Sequence, residues 1–135
     1  MQWSDEFNVG CPGIDAQHKE LVEKVNELER LLACGEADDE NFSDAILFVV
    51  EYARTHFRDE EELMQKMQYP GFVAHRKLHD QMVNHLANFL KDMQSGNGGT
   101  FSELVSYLYV WIQAHVLIED RKFGDYYSLN AEKGL

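Results

Sequence analysis

Four stretches of this sequence repeat apolar residues at steps of three and four, with short breaks between them. The first runs from Ile14 to Cys34 through Leu21, Val25, Leu28, Leu31 and Leu32, and Gly35 follows as a stop. After a polar loop, GEADDEN, the second runs from about Phe42 through Ile46, Val49, Val50, Ala53 and Phe57, past Leu63 to Met67. It ends before Tyr69-Pro70, because a proline pushes the residue before it out of the helical region. The third begins after Pro70 and Gly71 and carries Phe72, Leu78, Met82, Leu86, Phe89, Leu90 and Met93 as far as SGNGG. The fourth opens on Thr100-x-x-Glu103, a capping box whose side chains can satisfy free backbone N–H groups, and continues through Leu104, Leu108, Trp111 and His115 to about Asp120. Steps of three and four gather side chains on one face of a helix, and no stretch alternates with the period of a strand. Four helices with short connections predict an all-α, antiparallel up-down four-helix bundle. An N-terminal arm precedes it and a short C-terminal tail follows. That tail, DYYSLNAEKGL after Gly124, reads as a loose strap whose tyrosines cover a bundle end.

Residues 1–135 are expected to form a single domain, since this length can bury a core unaided. The net charge of −12 and the absence of a dense basic block exclude nucleic acid as a natural partner. No apolar run approaches the ~18 residues of a membrane span. MQWSDEFNVG has neither the basic nor the apolar region of a signal peptide, so the expected compartment is the cytoplasm. Cys11 and Cys34 are not in a CxxC spacing and are read as reduced, Cys34 as a small packing residue at the end of the first apolar series.

The histidines are placed unevenly. His56 and Glu60 stand four apart on the second helix, and His75 and His79 stand four apart on the third. At about 100° per residue such pairs lie about 40° apart, so each pair aims two side chains from one face. His18 on the first helix and His115 on the fourth complete a set in which every helix supplies a potential metal ligand. An isolated HxxxE or HxxxH pair is weak, because such spacings also serve as surface contacts. Five histidines and two acids at compatible heights on four helices are a much narrower coincidence. His85 falls off the His75/His79 face and is read as a surface residue. Imidazole with carboxylate suits iron, zinc, copper or manganese rather than calcium or magnesium. Two metals of about six positions each would be filled, all but one position, by five imidazoles, two bridging carboxylates and a bridging oxygen.

These residues resemble the hemerythrins, non-haem diiron oxygen-binding four-helix bundles, and especially their bacterial members. The resemblance covers nearly the whole chain: WSDEFNVGCPGIDAQHKEL, then HFRDEEELMQKMQYPGFVAHRKLH, then WIQAHVLIED with its W-x-x-x-H-x-x-x-x-D. It implies two iron ions, Fe2+ or Fe3+, joined by an oxo or hydroxo bridge. His75, His79 and His115 would bind one iron, His18 and His56 the other, with Glu60 and Asp120 bridging both. O2 would bind end-on at the open position of the two-histidine iron and leave as O2. Trp111, Phe57 and Met64 match positions that line or back the oxygen pocket, where a dry apolar wall keeps protons away. The C-terminal domain of a bacterial chemotaxis receptor is one close relative of this pattern, so the rest of a signalling receptor is a possible partner besides O2.

HVLIED sets a conflict between geometry and resemblance. A regular helix puts Glu119, at i+4, on the His115 face and turns Asp120, at i+5, about 140° away. The family pattern makes Asp120 the bridge, and the two agree only if the helix widens locally, so a π-turn between His115 and Asp120 is expected. Glu119 departs from the small or apolar residue usual at that position. It either stays solvated or reaches the cavity as a ligand or a proton donor, which would favour peroxidase- or oxidase-type chemistry over reversible oxygen binding.

Overall fold

The computed structural model describes residues 2–34, 39–96 and 98–131. Gly35, most of the GEADDEN loop, the side chain of Phe42, Asn97 of the SGNGG break and the end of the tail after Ala131 lie outside them. The α-helices are α1 (Pro12–Ala33), α2 (Asp39–Lys66), α3 (Phe72–Gln94), α4 (Phe101–Ala114) and α5 (Arg121–Ala131). A π-turn, His115–Asp120, joins α4 to α5 without a break.

The helix ends follow from local chemistry. Pro12 opens α1, where its missing N–H costs nothing. The Thr100 hydroxyl accepts the Glu103 N–H at 3.1 Å and caps α4. α2 closes on Gln68 in the left-handed region at φ 55°. The Tyr69 N–H then reaches back to the Met64 carbonyl at 2.9 Å, and Pro70 bars continuation. α2 begins at Asp39, slightly earlier than its apolar pattern suggests.

The bundle forms as α1 packs on α2 and α4, and α2 on α3. Its core is the predicted stripes turned inward: Leu21, Val25 and Leu28; Ile46, Val49 and Ala53; Met82 and Leu86; Leu104, Leu108 and Ile112, all buried. Burying each large side chain contributes roughly 1.5–3 kcal/mol of transfer free energy.

Two expectations are corrected, and a third meets a helix that passes the same test of composition. The tail is helical rather than a strap, because the chain passes through the π-turn into α5. Its tyrosines do cover a bundle end: the Tyr126 hydroxyl donates toward the carbonyls of Met67 (2.6 Å) and Gln68 (3.0 Å), which the end of α2 leaves without helical partners. Cys34 is exposed rather than packed, since it lies two residues, about 200°, beyond Leu32 and leaves the buried face. Cys11 is the buried thiol, and burial, with Asp15 and Glu60 nearby, pushes it up to about 12. Finally, the continuous helix Phe101–Asn130 is long and apolar enough by composition to cross a membrane, with mean hydropathy 1.2 in its most apolar window. Its Leu104, Leu108, Ile112 and Val116 are nonetheless spent on the bundle core.

The arm is anchored at both ends of its path. The Val9 N–H donates to Asp15 Oδ1 at 2.8 Å and the Gly10 N–H to Oδ2 at 3.3 Å, while the Arg121 guanidinium donates to the Glu6 carbonyl. It lies so close to α5 that a Cβ on Gly124 would stand 1.9 Å from the Val9 carbonyl oxygen.

Candidate metal centre

The seven residues singled out from the sequence converge in the middle of the bundle: His18, His56, Glu60, His75, His79, His115 and Asp120 are all at most 6% exposed. Their donor atoms fall into two groups: one of Glu60, His75, His79, His115 and Asp120, the other of His18, His56, Glu60 and Asp120. Only the two carboxylates belong to both.

Each carboxylate divides its oxygens between the groups. Glu60 Oε1 lies 2.7 Å from His75 Nε2 and 3.3 Å from His79 Nε2, while Oε2 lies 3.3 Å from His56 Nε2 and 3.5 Å from His18 Nε2. Asp120 Oδ1 lies 2.9 Å from His75 Nε2 and 3.2 Å from His115 Nε2, and Oδ2 lies 3.0 Å from His18 Nε2. A carboxylate with one oxygen toward each of two nitrogen clusters is placed to bridge two cations.

The donor set also fits metal by what it leaves unsatisfied. Among the described residues, both ring nitrogens of His18, Glu60 Oε2 and both oxygens of Asp120 are buried with no hydrogen bond of good geometry, close though the imidazoles and carboxylates stand, a costly arrangement unless a cation completes it. His115 Nε2 stands 3.1 Å from the Nε2 of both His75 and His79. Two metal–nitrogen bonds of about 2.1 Å at a right angle would set their nitrogens about 3 Å apart, so these spacings suit one ion.

Without metal the cluster shares protons. Burial pulls the His18 imidazolium down, but the close carboxylates of Asp120 and Glu60 outweigh it and push it up to about 10. His75 is pushed up to about 9 by the same carboxylates against the same desolvation. Burial lowers His115, with Asp120 only partly opposing it. Glu60 falls well below the usual carboxylate range despite complete burial, because it faces His18, His56, His75 and His79; Asp120 falls too, against its own burial and the Glu60 charge, under the pull of His115 and His18. Cations entering here displace protons.

The π-turn delivers the fourth helix's share. It spans HVLIED and places His115 and Asp120 both inward, as expected from the conflict in spacing. Glu119 is outside the donor groups: its carboxylate lies 3.4 Å from Lys122 Nζ, about a third exposed, and it raises Tyr69 by charge, after burial. Phe57 stacks on His79 at 4.0 Å between centroids and Trp111 on His115 at 4.3 Å, so both rings lie against the three-histidine group. Met64 is fully buried. His85 is exposed and stacks on Tyr107 at 4.4 Å.

Two contacts had no counterpart in the sequence reading. The His79 Nδ1–H meets Glu61 Oε2 at 3.0 Å, and the His56 Nδ1–H meets Gln17 Oε1 at 2.7 Å. Gln17 is itself tied by its amide to Asp59 at 2.9 Å. Both residues adjoin a ligand in sequence, Gln17 before His18 and Glu61 after Glu60, but each serves a histidine on a different helix.

Fold and site together define a four-helix bundle with a buried, histidine-rich dinuclear centre. The hemerythrin HHE cation-binding domain model matches residues 12–127, and the chain belongs to the hemerythrin family, the non-haem diiron oxygen-binding proteins that its motifs resemble. It is 32% identical over 131 residues to a bacteriohemerythrin of Stenotrophomonas maltophilia, covering 93% of this chain and 80% of that one. It is 29% identical over 126 residues to a bacteriohemerythrin of Clostridium acetobutylicum, covering 91% and 98%. A myohemerythrin of Theromyzon tessulatum is 26% identical over 122 residues, covering 90% and 89%. Among solved structures, a wild-type hemerythrin superposes with a TM-score of 0.83 at 26% identity, covering 93% of this chain and 95% of that one.

Proposed function

We propose that this chain, as a single diiron domain, binds O2 reversibly at one open iron position. His75, His79 and His115 would hold one iron and His18 and His56 the other, with Glu60 and Asp120 bridging. When bound, the iron pair would lend O2 the electrons needed to hold it and take them back as O2 leaves. The observation that supports this most is the divided carboxylates, each with one oxygen toward each histidine group. The three-histidine group has one donor more, which leaves the open position on the two-histidine side. The protein's own part is to hold the imidazole lone pairs inward, to offset part of the cations' charge with two carboxylates, and to keep water out with Phe57, Met64 and Trp111.

Peroxidase- or oxidase-type turnover through Glu119 is not favoured, because its carboxylate stands beside Lys122, outside both donor groups. Oxygen sensing as the module of a larger chemotaxis receptor, and free cytoplasmic transport or storage, would use the same site. The test is an anaerobic titration of the di-iron(II) protein with O2, followed by removal of the gas. An O2-dependent optical band that forms and disappears over repeated cycles is the expected result. Direct, irreversible oxidation would overturn reversible binding and move the reading to redox turnover.

A further inference from the structure

The two donor groups differ in more than their number of histidines. His79 donates its outer N–H to a carboxylate, Glu61, whose side chain is only 20% exposed. His56 donates its outer N–H to a neutral amide, Gln17, which Asp59 anchors and whose backbone carbonyl accepts the Tyr52 hydroxyl at 3.3 Å. In both cases the outer hydrogen bond fixes the proton on Nδ1 and leaves the Nε2 lone pair pointing into the cluster. A carboxylate acceptor also draws the N–H proton toward itself, which increases electron donation from the ring to whatever Nε2 binds. An amide acceptor fixes orientation without adding charge.

Resting on the ligand assignment above, we propose that Glu61 and Gln17 are positioning residues that hold the two metal positions unequally. Glu61, through His79, tightens the three-histidine metal and makes it more electron-rich. Gln17, through His56, orients the two-histidine ligand while leaving that metal with less donated charge. Glu61 also lies on the lining of a groove of about 540 Å³ between α2 and α3, with Phe57 and His79.

The experiment uses the iron-loaded, anaerobic protein and follows iron release to a chelator, with iron anomalous scattering from partly stripped crystals showing which position empties. In the unaltered protein two phases are expected, the slower one from the three-histidine position. Glu61→Leu should accelerate that slow phase by roughly 10- to 100-fold and leave the fast phase unchanged; Gln17→Leu should accelerate only the fast one. Glu61→Gln keeps an acceptor but no charge, so it should restore most of the retention while its reduction midpoint stays above that of the unaltered protein. Equal acceleration of both phases by Glu61→Leu, or none, overturns the proposal, as does an unchanged midpoint in Glu61→Gln. The last reading decides the matter even if Glu61→Leu folds poorly. An unaltered protein that never holds two irons overturns the ligand assignment, and this proposal with it.

Discussion

α2 and the π-turn after α4 each bring a histidine and a carboxylate to the centre, and they do so by different geometry. On α2, His56 and Glu60 are four residues apart in regular helix, and both point inward because four residues bring a helix nearly full circle. After α4, His115 and Asp120 are five apart, and the π-turn they bound supplies the extra backbone so that both are buried. The first pairing is free, since any helix gives it. The second interrupts regular helical hydrogen bonding and persists because the surroundings fix both of its ends. Above it Trp111 stacks on His115, and below it Gly124 lies against Val9. Distortion of this kind gathers at functional sites because only a binding requirement repays it.

The comparison breaks most completely when a bridge is removed. Glu60→Ala and Asp120→Ala should each reduce bound iron from two per chain to one or fewer, by metal analysis of anaerobically reconstituted protein. Asp120→Ala is the sharper case, because Glu119 stands at the regular i+4 position from His115. If the π-turn holds, Glu119 stays with Lys122 and iron is lost; full iron retention would show the helix relaxing to let Glu119 take over. Loss of bound metal also removes the stability it lends the fold, about 4 kcal/mol when free metal is ~1,000 times its dissociation constant.

A second prediction concerns His18, which touches the carboxylates of both helices, at 3.5 Å from Glu60 and 3.0 Å from Asp120. In protein stripped of metal, His18 and His75 are raised above their ordinary value of 6.5, to about 10 and about 9. A group raised on folding contributes stability that is complete below its unfolded value and lost as pH rises through its folded value. Denaturant unfolding of the stripped protein should therefore show stability falling between about pH 6.5 and 10, by an amount on the order of a few kcal/mol. With metal bound, the ion occupies the nitrogen that would otherwise take up the titrating proton, so the slope should flatten. An identical slope in both forms would mean that the histidines are not the metal ligands.

Much of this was legible in the sequence, for a physical reason. The stripes on α1 to α4 and the pairs His56/Glu60 and His75/His79 follow the regular helical period, so residue order alone places them on shared faces. The π-turn was legible only through a conflict between that period and the family pattern. α5 was missed because DYYSLNAEKGL has no apolar stripe of its own; its helicity comes from continuation of α4 and from packing on the arm, and long-range contacts of that kind leave no periodic trace. Gln17 and Glu61 were missed likewise, since the histidines they serve, His56 and His79, sit on other helices.

The π-turn also sets the phase of everything after it, and Gly124 reports on that phase. The extra residue rotates α5 so that the position without a side chain meets Val9. Gly124→Ala should cost about 1–3 kcal/mol through overpacking, because the contact is backbone and cannot swing aside. The loss should appear in the thermal midpoint, with arm amides exchanging faster and the iron count unchanged. Wild-type stability in this variant would mean that α5 is not locked in register by the arm.

The smallest effect is expected at Glu119 itself, and it bears most directly on the comparison. A side chain at i+4 on α2 is a proposed bridging ligand, while the one at i+4 on α4 is turned to the surface by the π-turn. Glu119→Ile removes one exposed pairing with Lys122 at 3.4 Å, an interaction worth about 0–1 kcal/mol. It also removes a negative charge that helps raise Tyr69. Iron content, reversible O2 binding and thermal midpoint should therefore stay within error, while the Tyr69 phenol should titrate at a slightly lower pH by ultraviolet difference absorbance. A large change in the rate at which the O2-bound form decays would instead place the carboxylate close to the open position, and would show that helix α4 can present its i+4 residue inward just as α2 does.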